Sequence, residues 1–581
     1  MGLVGAAHSA TNTVTSLADN GPGSLRQVIR LSPPSATIIF GVTGTIILTN
    51  GELAVAKDLT ICGPGASALA ISGNYQSRIL NVSQSANVFI SGLTIGNGQA
   101  AYGGGICNTG TLSLINCIIS GNSAGWGSAS GGNGGDGGGI YNLGTLNMSG
   151  STISGNRAGE GADAGGAGSP GDGGNGGGVF LGGGYCDASN CIFSGNSAGS
   201  GGQGHGETPT SYMYGGPGAT GGNGGGIYAG AGGALIINCT FTNNRAGVGG
   251  SGGMGQAYSG SGGSGGSGGG VCASNTLTMS GCTIVGNIAG SGGSSFSNFG
   301  GSGSGGMGGV GGGICAGEGL LLTNCTIVGN SGGNGGYGEF LYSSAYGGSG
   351  GGIYSCSTNE VIVACTVVSN SVGLGATGAT NGIGGGICSA LVGGPVLLNS
   401  IVALNSGDSP DVAGAFQSQG HNLIGVTNGS SGFSAPGDLV GSTNLLLNPK
   451  LGPLADNGGP TLTMALLPGS PAIDAGSAVG SPPTDQRGVL RPQGPGVDIG
   501  AFEYRYLPVF TGATMLSATN CRLQMAGLPP NQTYSLQVST NLLNWWDVTN
   551  FMAGSNGVFQ CVDPIAGATQ LRFYRLKSST P

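Results

Sequence analysis

Residues 137–156 read GGGIYNLGTLNMSGSTISGN, and the string divides into three short extended pieces separated by turn residues. Gly139 to Asn142 opens it, a piece with Leu146 and Met148 on one face follows, and a third piece around Ile153 ends at Asn156. Apolar residues two apart, bounded by Gly, Asn and Ser, predict strands and not helix. Slightly varied, the string begins again at Gly103, Gly176, Gly224, Gly268, Gly311, Gly350 and Gly384. Successive starts lie 34, 39, 48, 44, 43, 39 and 34 residues apart, so a near-constant part alternates with one of variable length. A unit of three short strands with one apolar face cannot bury itself, whereas stacked units bury a continuous column. The expected fold is all-β: a parallel β-helix with three strands per coil, carrying eight Gly-rich repeats over residues 101–410.

Composition fits a solenoid. The 581-residue chain holds 135 glycines and is 6% charged. Glycine at that level without a strict triplet resembles low complexity, but periodic Ile, Leu and Val columns supply a core that low-complexity chains lack. Net charge is −8, with no lysine between Lys57 and Lys450 and no arginine between Arg245 and Arg487. Nucleic acid is therefore excluded as a partner, since it demands a basic stripe. No run of ~18 apolar residues offers a transmembrane helix. A monomer is expected.

Several columns follow from the repeat. Asn122, Asn156, Asn196, Asn244, Asn287, Asn330, Asn370 and Asn405 close the third strand of each unit. They are read as a structural ladder: Asn tolerates left-handed backbone at a corner, and stacked amides can bond along the axis. Cys117, Ser151, Cys191, Cys239, Cys282, Cys325, Cys365 and Ser400 form a second column, whose sulfur shares a face with the buried Ile and reads as small apolar filler. A metal stack or disulfides is the other reading, which the absence of a companion His and of paired spacings disfavours. Cys107, Cys272, Cys315 and Cys388 alternate with Tyr141, Tyr228 and Tyr354, again as interchangeable packing.

The variable part of each unit is a Gly-rich loop leaving one corner. It has two readings: flexible linkers, or neighbouring loops that order each other as extended Gly strands, because only Gly lets backbones pack so closely. Aromatic interruptions (Trp126, Tyr212, Tyr214, Tyr258, Phe296, Phe299, Tyr337, Phe340, Tyr342, Tyr346) make these loops the best candidate contact surface. GGNGGDGGG around Asp136 and GDGGNGGG around Asp172 resemble calcium-binding nonapeptides without their tandem repeat, which leaves calcium a minor reading and no cofactor the expectation. A lyase or glycosidase would need acids clustered on a strand face. Asp136, Glu160, Asp163, Asp172, Asp187, Glu207, Glu318, Glu339 and Glu360 are read instead as loop or turn residues, and His205 as a bystander, so no catalytic residue is assigned.

At the N-terminus, residues 1–12 read as a signal-peptide remnant or a frayed end. Residues 13–100 form a cap and first coils, with Ser24 capping a helix from Leu25 to Arg30 that lays Leu25, Val28 and Ile29 over the open first coil. Residues 411–505 close the solenoid and concentrate charge in Asp474, Asp485, Arg487, Arg491, Asp498 and Glu503, read as an ion-paired cap over the last coil, with a bound cation as the minor alternative. Residues 506–581 alternate apolar and polar positions between Pro and Asn turns and predict an antiparallel sandwich of about seven strands. One of Trp545 and Trp546 is expected in its core, with sugar binding as the other reading, and Cys521 and Cys561 are placed to bridge two strands or to remain free.

The series TVTSLADNGPGSLRQVI, GTIILTNGELAVAKDLTICGPG and ISGLTIGNG, with the closing TDQRGVLRPQGPGVDIGAFEY, resembles the choice-of-anchor Q family of secreted bacterial right-handed β-helix proteins. The GGGIY and TISGN strings are similar to the GGA-I and FxxN motifs of polymorphic outer-membrane proteins, with Ile or Val where most copies of the latter have Phe; Phe193 and Phe241 come closest. STNLLNWWDV and RFYRL resemble a fibronectin-III-like C-terminal module. The resemblance implies export followed by variable attachment. Together the readings define a non-catalytic secreted or cell-surface protein, adhesin-like, whose partners are extracellular polysaccharide or cell-surface components. The alternative is a carbohydrate-active enzyme or polysaccharide-binding protein on the same fold.

Overall fold

The computed structural model describes residues 10–578 apart from 129–130, 166–167, 207–213, 256–257, 296–302, 339–343, 518–519, 555–556 and 565–570. Three parallel sheets, of 13, 12 and 13 strands among the described residues, run along the repeats. The first gathers the Leu146/Met148 pieces, from Thr11–Val14 to Gln417–Ser418. The second gathers the Gly-Gly-Gly-Ile pieces and the third the Ile153 pieces. Each strand pairs in register with its counterpart one coil away: Leu112 opposite Leu146, Ile140 opposite Val179, Phe193 opposite Phe241. This is a parallel β-helix. In-register pairing turns each repeat position into a column, so Ile106, Ile140, Val179, Ile227, Val271, Ile314, Ile353 and Ile387 are all fully buried, each stabilising by about 1.5–3 kcal/mol. Phe193 and Phe241 stack in the third sheet's inward column with centroids 4.5 Å apart.

The helix Leu25–Leu31 forms as expected, with Ser24 accepting from the Gln27 amide and Leu25 and Ile29 buried. Strands Leu53–Val55 and Thr94–Gly96 help complete the early coils.

The eight asparagines make one buried row. Each Nδ2 donates to the next Oδ1 at 2.9 Å, and each backbone N–H donates to the same oxygen, as from Asn156 to Asn196 at 3.1 Å. The row ends at Asp411, whose Oδ1 takes both donors of Asn405 at 2.9 Å. One expectation is corrected: the left-handed residue at this corner precedes the asparagine, being Gly121, Gly155, Gly195, Asn243, Gly286, Gly329, Ser369 and Leu404. Reversing the chain one residue earlier lets the amide itself turn inward.

The Cys column is also a ladder and not merely filler. The Cys191 amide donates to the Cys239 sulfur at 3.3 Å, the Cys117 amide to the Ser151 hydroxyl at 3.1 Å, and the Ser400 amide to Asn422 Oδ1 at 3.0 Å. Serine replaces cysteine here because both accept from the amide of the preceding coil. All 15 cysteines are unbridged. Cys521 and Cys561 sit on adjacent strands but out of register, Cys561 opposite Leu523 and Cys521 opposite Asp563.

The described parts of the Gly-rich loops are ordered. Each consists of an arm running out from the asparagine corner and an arm running back. In the loop after Asn196, Gly199 and Gly202 donate to Gly174 and Gly171 on the preceding loop's return arm, while Gly201 and Gly204 donate to Val248 and Ser251 on the next loop's outgoing arm, at 2.8–2.9 Å. On the return arm Gly216, Ala219 and Gly222 donate to His205, Gly202 and Gly199 of the same loop, and Gly218, Gly221 and Gly224 to the next return arm. Donors that repeat every third residue in each direction define threefold, polyproline-II-like strands. The arms form a two-layered slab beside the solenoid. A Cβ on Gly247 would lie 1.8 Å from the Gly199 carbonyl oxygen, which is why most donor positions are glycine. From ladder asparagine to the next Gly-Gly-Gly the loops advance 15, 20, 28, 24, 24, 20 and 14 residues, so loop length peaks in the middle of the array and tapers toward both ends.

The charged segment is not a lid over the last coil. Residues 456–503 fold back along the outside of the third sheet as a strap. Thr461 and Leu462 reach the unit that begins at Gly268, accepting or donating at Gly281 and Thr283. Thr484 and Gln486 reach Asn324 and Thr326, and Ser477 and Gly500 reach Asn399. Leu466, Ala472, Ile499 and Phe502 pack there on Val328, Val368, Ile401, Ala403 and Leu423 in a second buried core.

The C-terminal module is two three-stranded antiparallel sheets, six strands among the described residues where about seven were expected. Its core comprises Leu523, Met525, Leu528, Tyr534, Leu536, Phe551 and Ala553. Neither tryptophan enters it: Trp546 is exposed, and Trp545 lies half-buried under the Arg575 guanidinium, 4.2 Å from the ring. Phe551 from one sheet and Phe559 from the other stack there instead, ring centroids 3.4 Å apart.

Candidate functional site

The slab gives the solenoid a regular outward surface along its glycine-rich corner. Two of every three residues on an arm face other arms, and the third faces solvent. On the outgoing layer the first such row is Trp126, Glu160, Ser200, Val248, Ser291, Asn334 and Leu374. Adjacent coils lie ~4.8 Å apart and successive outward residues on one arm ~9 Å apart, so side chains occupy a fixed grid. The polar members cap outward backbone N–H groups of the next loop: Asp163 accepts from Gln203 at 2.7 Å, Gln203 from Ser251 at 2.8 Å, Asp136 from Asn175 at 2.7 Å and Asp172 from Thr220 at 2.9 Å. The apolar members stand exposed, Trp126 at 71% and Tyr337 and Tyr346 each at 57%. Tyr214 and Tyr258 stack 5.2 Å apart. Tyr212, Phe296, Phe299, Phe340, Tyr342, Glu207 and Glu339 lie outside the described residues.

The repeat acids therefore have structural partners: Asp136, Asp163 and Asp172 cap amides, and Glu160 pairs with Arg157. Two acids depart from the loop placement. Asp187 sits on the strand Tyr185–Ser189 facing outward. Glu360 points inward, and neither carboxylate oxygen makes a well-formed hydrogen bond among the described residues; burial pushes it up to about 7, partly offset by the nearby Ser355 hydroxyl and Ser357 and Cys356 amides, which approach it without such geometry. Among the described residues no three His, Cys, Asp or Glu side chains are grouped so as to hold a metal ion.

The six charged residues of the strap come together, but as two ion pairs and two acceptors of other groups. Arg487 pairs with Asp485 at 2.7 Å and Arg491 with Glu503 at 2.9 Å, all four nearly or wholly buried. Asp498 accepts from the Asp474 amide at 2.7 Å, and Asp474 from the Tyr506 hydroxyl and the Gly496 amide. Burial and the Glu503 carboxylate push Asp498 up to about 8. The cluster fastens the strap to itself and is not an ion-paired lid.

The strap's bed was missed, although its signal is in the sequence. The outward residue closing the third strand is Ser120, Ser154, Ser194 and Thr242 in the first four units but Val285, Val328, Val368 and Ala403 in the last four. Comparison of the chain with family models, curated proteins and solved structures found no match.

Proposed function

We propose that the protein is a non-catalytic, secreted or cell-surface solenoid, adhesin-like, that holds out its glycine slab as an extended contact surface. The supporting observation is the grid: a hydrogen-bonded layered backbone whose donor positions are mostly glycine and whose every third described residue points out, with exposed Trp126, Tyr337 and Tyr346 among small polar groups. Such a surface suits broad, uncharged partners such as polysaccharide. Sugar retention without turnover is the second reading, favoured by those rings. The engagement of Asp136, Asp163 and Asp172 in capping amides weighs against a hydrolase or lyase in the repeats. Incubating purified protein with a panel of polysaccharides tests this, read for both retention and product release. Retention lost in W126A/Y337A/Y346A supports the reading, and turnover abolished by one Asp or Glu substitution overturns it. Fractionating cells that express the full-length gene tests the location.

A further inference from the structure

The strap displays how the outer face of the third sheet grips an extended chain. Asn399 donates from Nδ2 to the Ser477 carbonyl at 2.8 Å and accepts the Ser477 N–H on Oδ1 at 2.8 Å, a two-bond match of side-chain amide to peptide group. Asn324 donates to the Thr484 carbonyl at 2.8 Å. Beside these corners runs an outward threonine column: Thr283 donates to the Leu462 carbonyl at 2.6 Å, Thr326 to Gln486 Oε1 at 2.7 Å, and Thr366 accepts the Ala501 N–H at 3.0 Å.

The same two columns continue, uncovered, through the first four units. Asn116, Asn190 and Asn238 hold the corner with φ of 51°, 52° and 54°, against 51° and 50° at Asn324 and Asn399. The matching φ values start each side chain from the same left-handed backbone corner. These three side chains have no hydrogen-bond partner among the described residues, and Asn116 and Asn190 are exposed where Asn324 and Asn399 are buried. Thr152, Ile192 and Thr240 continue the threonine column in register with Thr283. Ile192 is 45% exposed, whereas Ile401, in the same column, is fully buried beneath the strap. The strands Ile118–Ser120, Thr152–Ser154, Ile192–Ser194 and Thr240–Thr242 carry no charge.

We propose that this open half of the third sheet is a docking track for an extended, uncharged polypeptide segment of another chain. Its backbone would be held at intervals by the corner amides, and its Ser, Thr or Gln side chains would meet the threonine column. A peptide fits better than a sugar because the corner amide offers one donor and one acceptor at the spacing of a peptide N–H and C=O, and because the track is continuous with an interface where it already binds such a chain. The site is separate from the slab, so the two readings can fail independently.

A fluorescent peptide of residues 475–484, uncharged and holding both Ser477 and Thr484, with a scrambled control, is titrated onto the full chain. The comparison is N190G/N238G, because glycine keeps the left-handed corner and removes only the amide, as Gly150 and Gly281 already do in this column. Saturable binding that weakens at least tenfold in the variant, with slowed amide exchange in 192–194 and 240–242 of the wild type, is the expected result. An unchanged melting temperature shows that the variant is folded. No saturable binding, equal binding of the scrambled peptide, equal binding by the variant, or slowed exchange at those strands with a polysaccharide from the panel in place of the peptide would overturn the proposal.

Discussion

A carboxyl group at position 360 stands in a column that is otherwise Leu112, Leu146, Cys186, Ala234, Leu277, Leu320 and Pro395. Its pKa rises from 4.5 to about 7, so the folded protein keeps a proton that the unfolded chain has already released. Below pH 4.5 both states are protonated and the residue costs nothing by this route. Between 4.5 and 7 the penalty grows, and above 7 it is complete at about 3 kcal/mol. Glu360→Gln should remove the slope: urea denaturation from pH 4 to 8 should show a stability gain near zero at the acid end and about 3 kcal/mol at pH 8. Nothing in the sequence singled this residue out, because a Glu just before a strand reads as a turn and only the in-register neighbours Leu320 and Pro395 show that it faces inward. The ladder asparagines were legible, since one residue type recurring at one place in eight units is a pattern that loops do not produce by accident. Their backbone conformation was not, because a corner is shared among adjacent residues and spacing alone does not say which one turns.

Elements here are held by rows that cross the coils, so damage to a row should spread along it. Asn287→Ala removes the amide that bonds both Asn244 and Asn330 and leaves buried donors unmet, at a cost of about 3 kcal/mol or more. Ser151→Cys exchanges two residues that the neighbouring column already uses, and should cost less than about 1 kcal/mol; urea unfolding compares the two. In the slab, Gly222→Ala would set a methyl 2.0 Å from the Gly174 carbonyl oxygen. Exchange protection should fall at the Gly199, Gly222 and Gly247 amides while the three sheets keep theirs. That the loops shared a corner followed from repeat spacing. That their described arms are ordered turned on hydrogen bonds between residues from 11 to 47 positions apart in the loop after Asn196, whose register depends on both arms at once.

At the scale of the molecule, three separate cores carry the fold: the solenoid interior, the bed beneath the strap, and the C-terminal sandwich. Because the third shares no buried residue with the others, two thermal transitions are expected, and deleting residues 507–581 should abolish one and leave the other in place. The strap couples to the solenoid through Gln486, whose Nε2 reaches Thr283 at 3.0 Å and whose Oε1 accepts from Thr326. A double-mutant cycle of Q486L and T326V should therefore give a coupling energy of about 1–3 kcal/mol. Reading the charged segment as a lid followed from its place near the end of the solenoid; the switch from Ser and Thr to Val and Ala in the last four units was the clue that the chain turns back.

The taper in loop length bears on how such a chain can grow. An arm is held by arms on either side, and one that outran its neighbours would end with donors and acceptors facing water. A unit copied in tandem inherits its parent's arm, so the newcomer finds a mate of equal length on one side at once and needs no second change to fit. Lengthening by gene duplication is thus tolerated in the middle of the array, while a lone long insertion at either tip would have nothing to lie against.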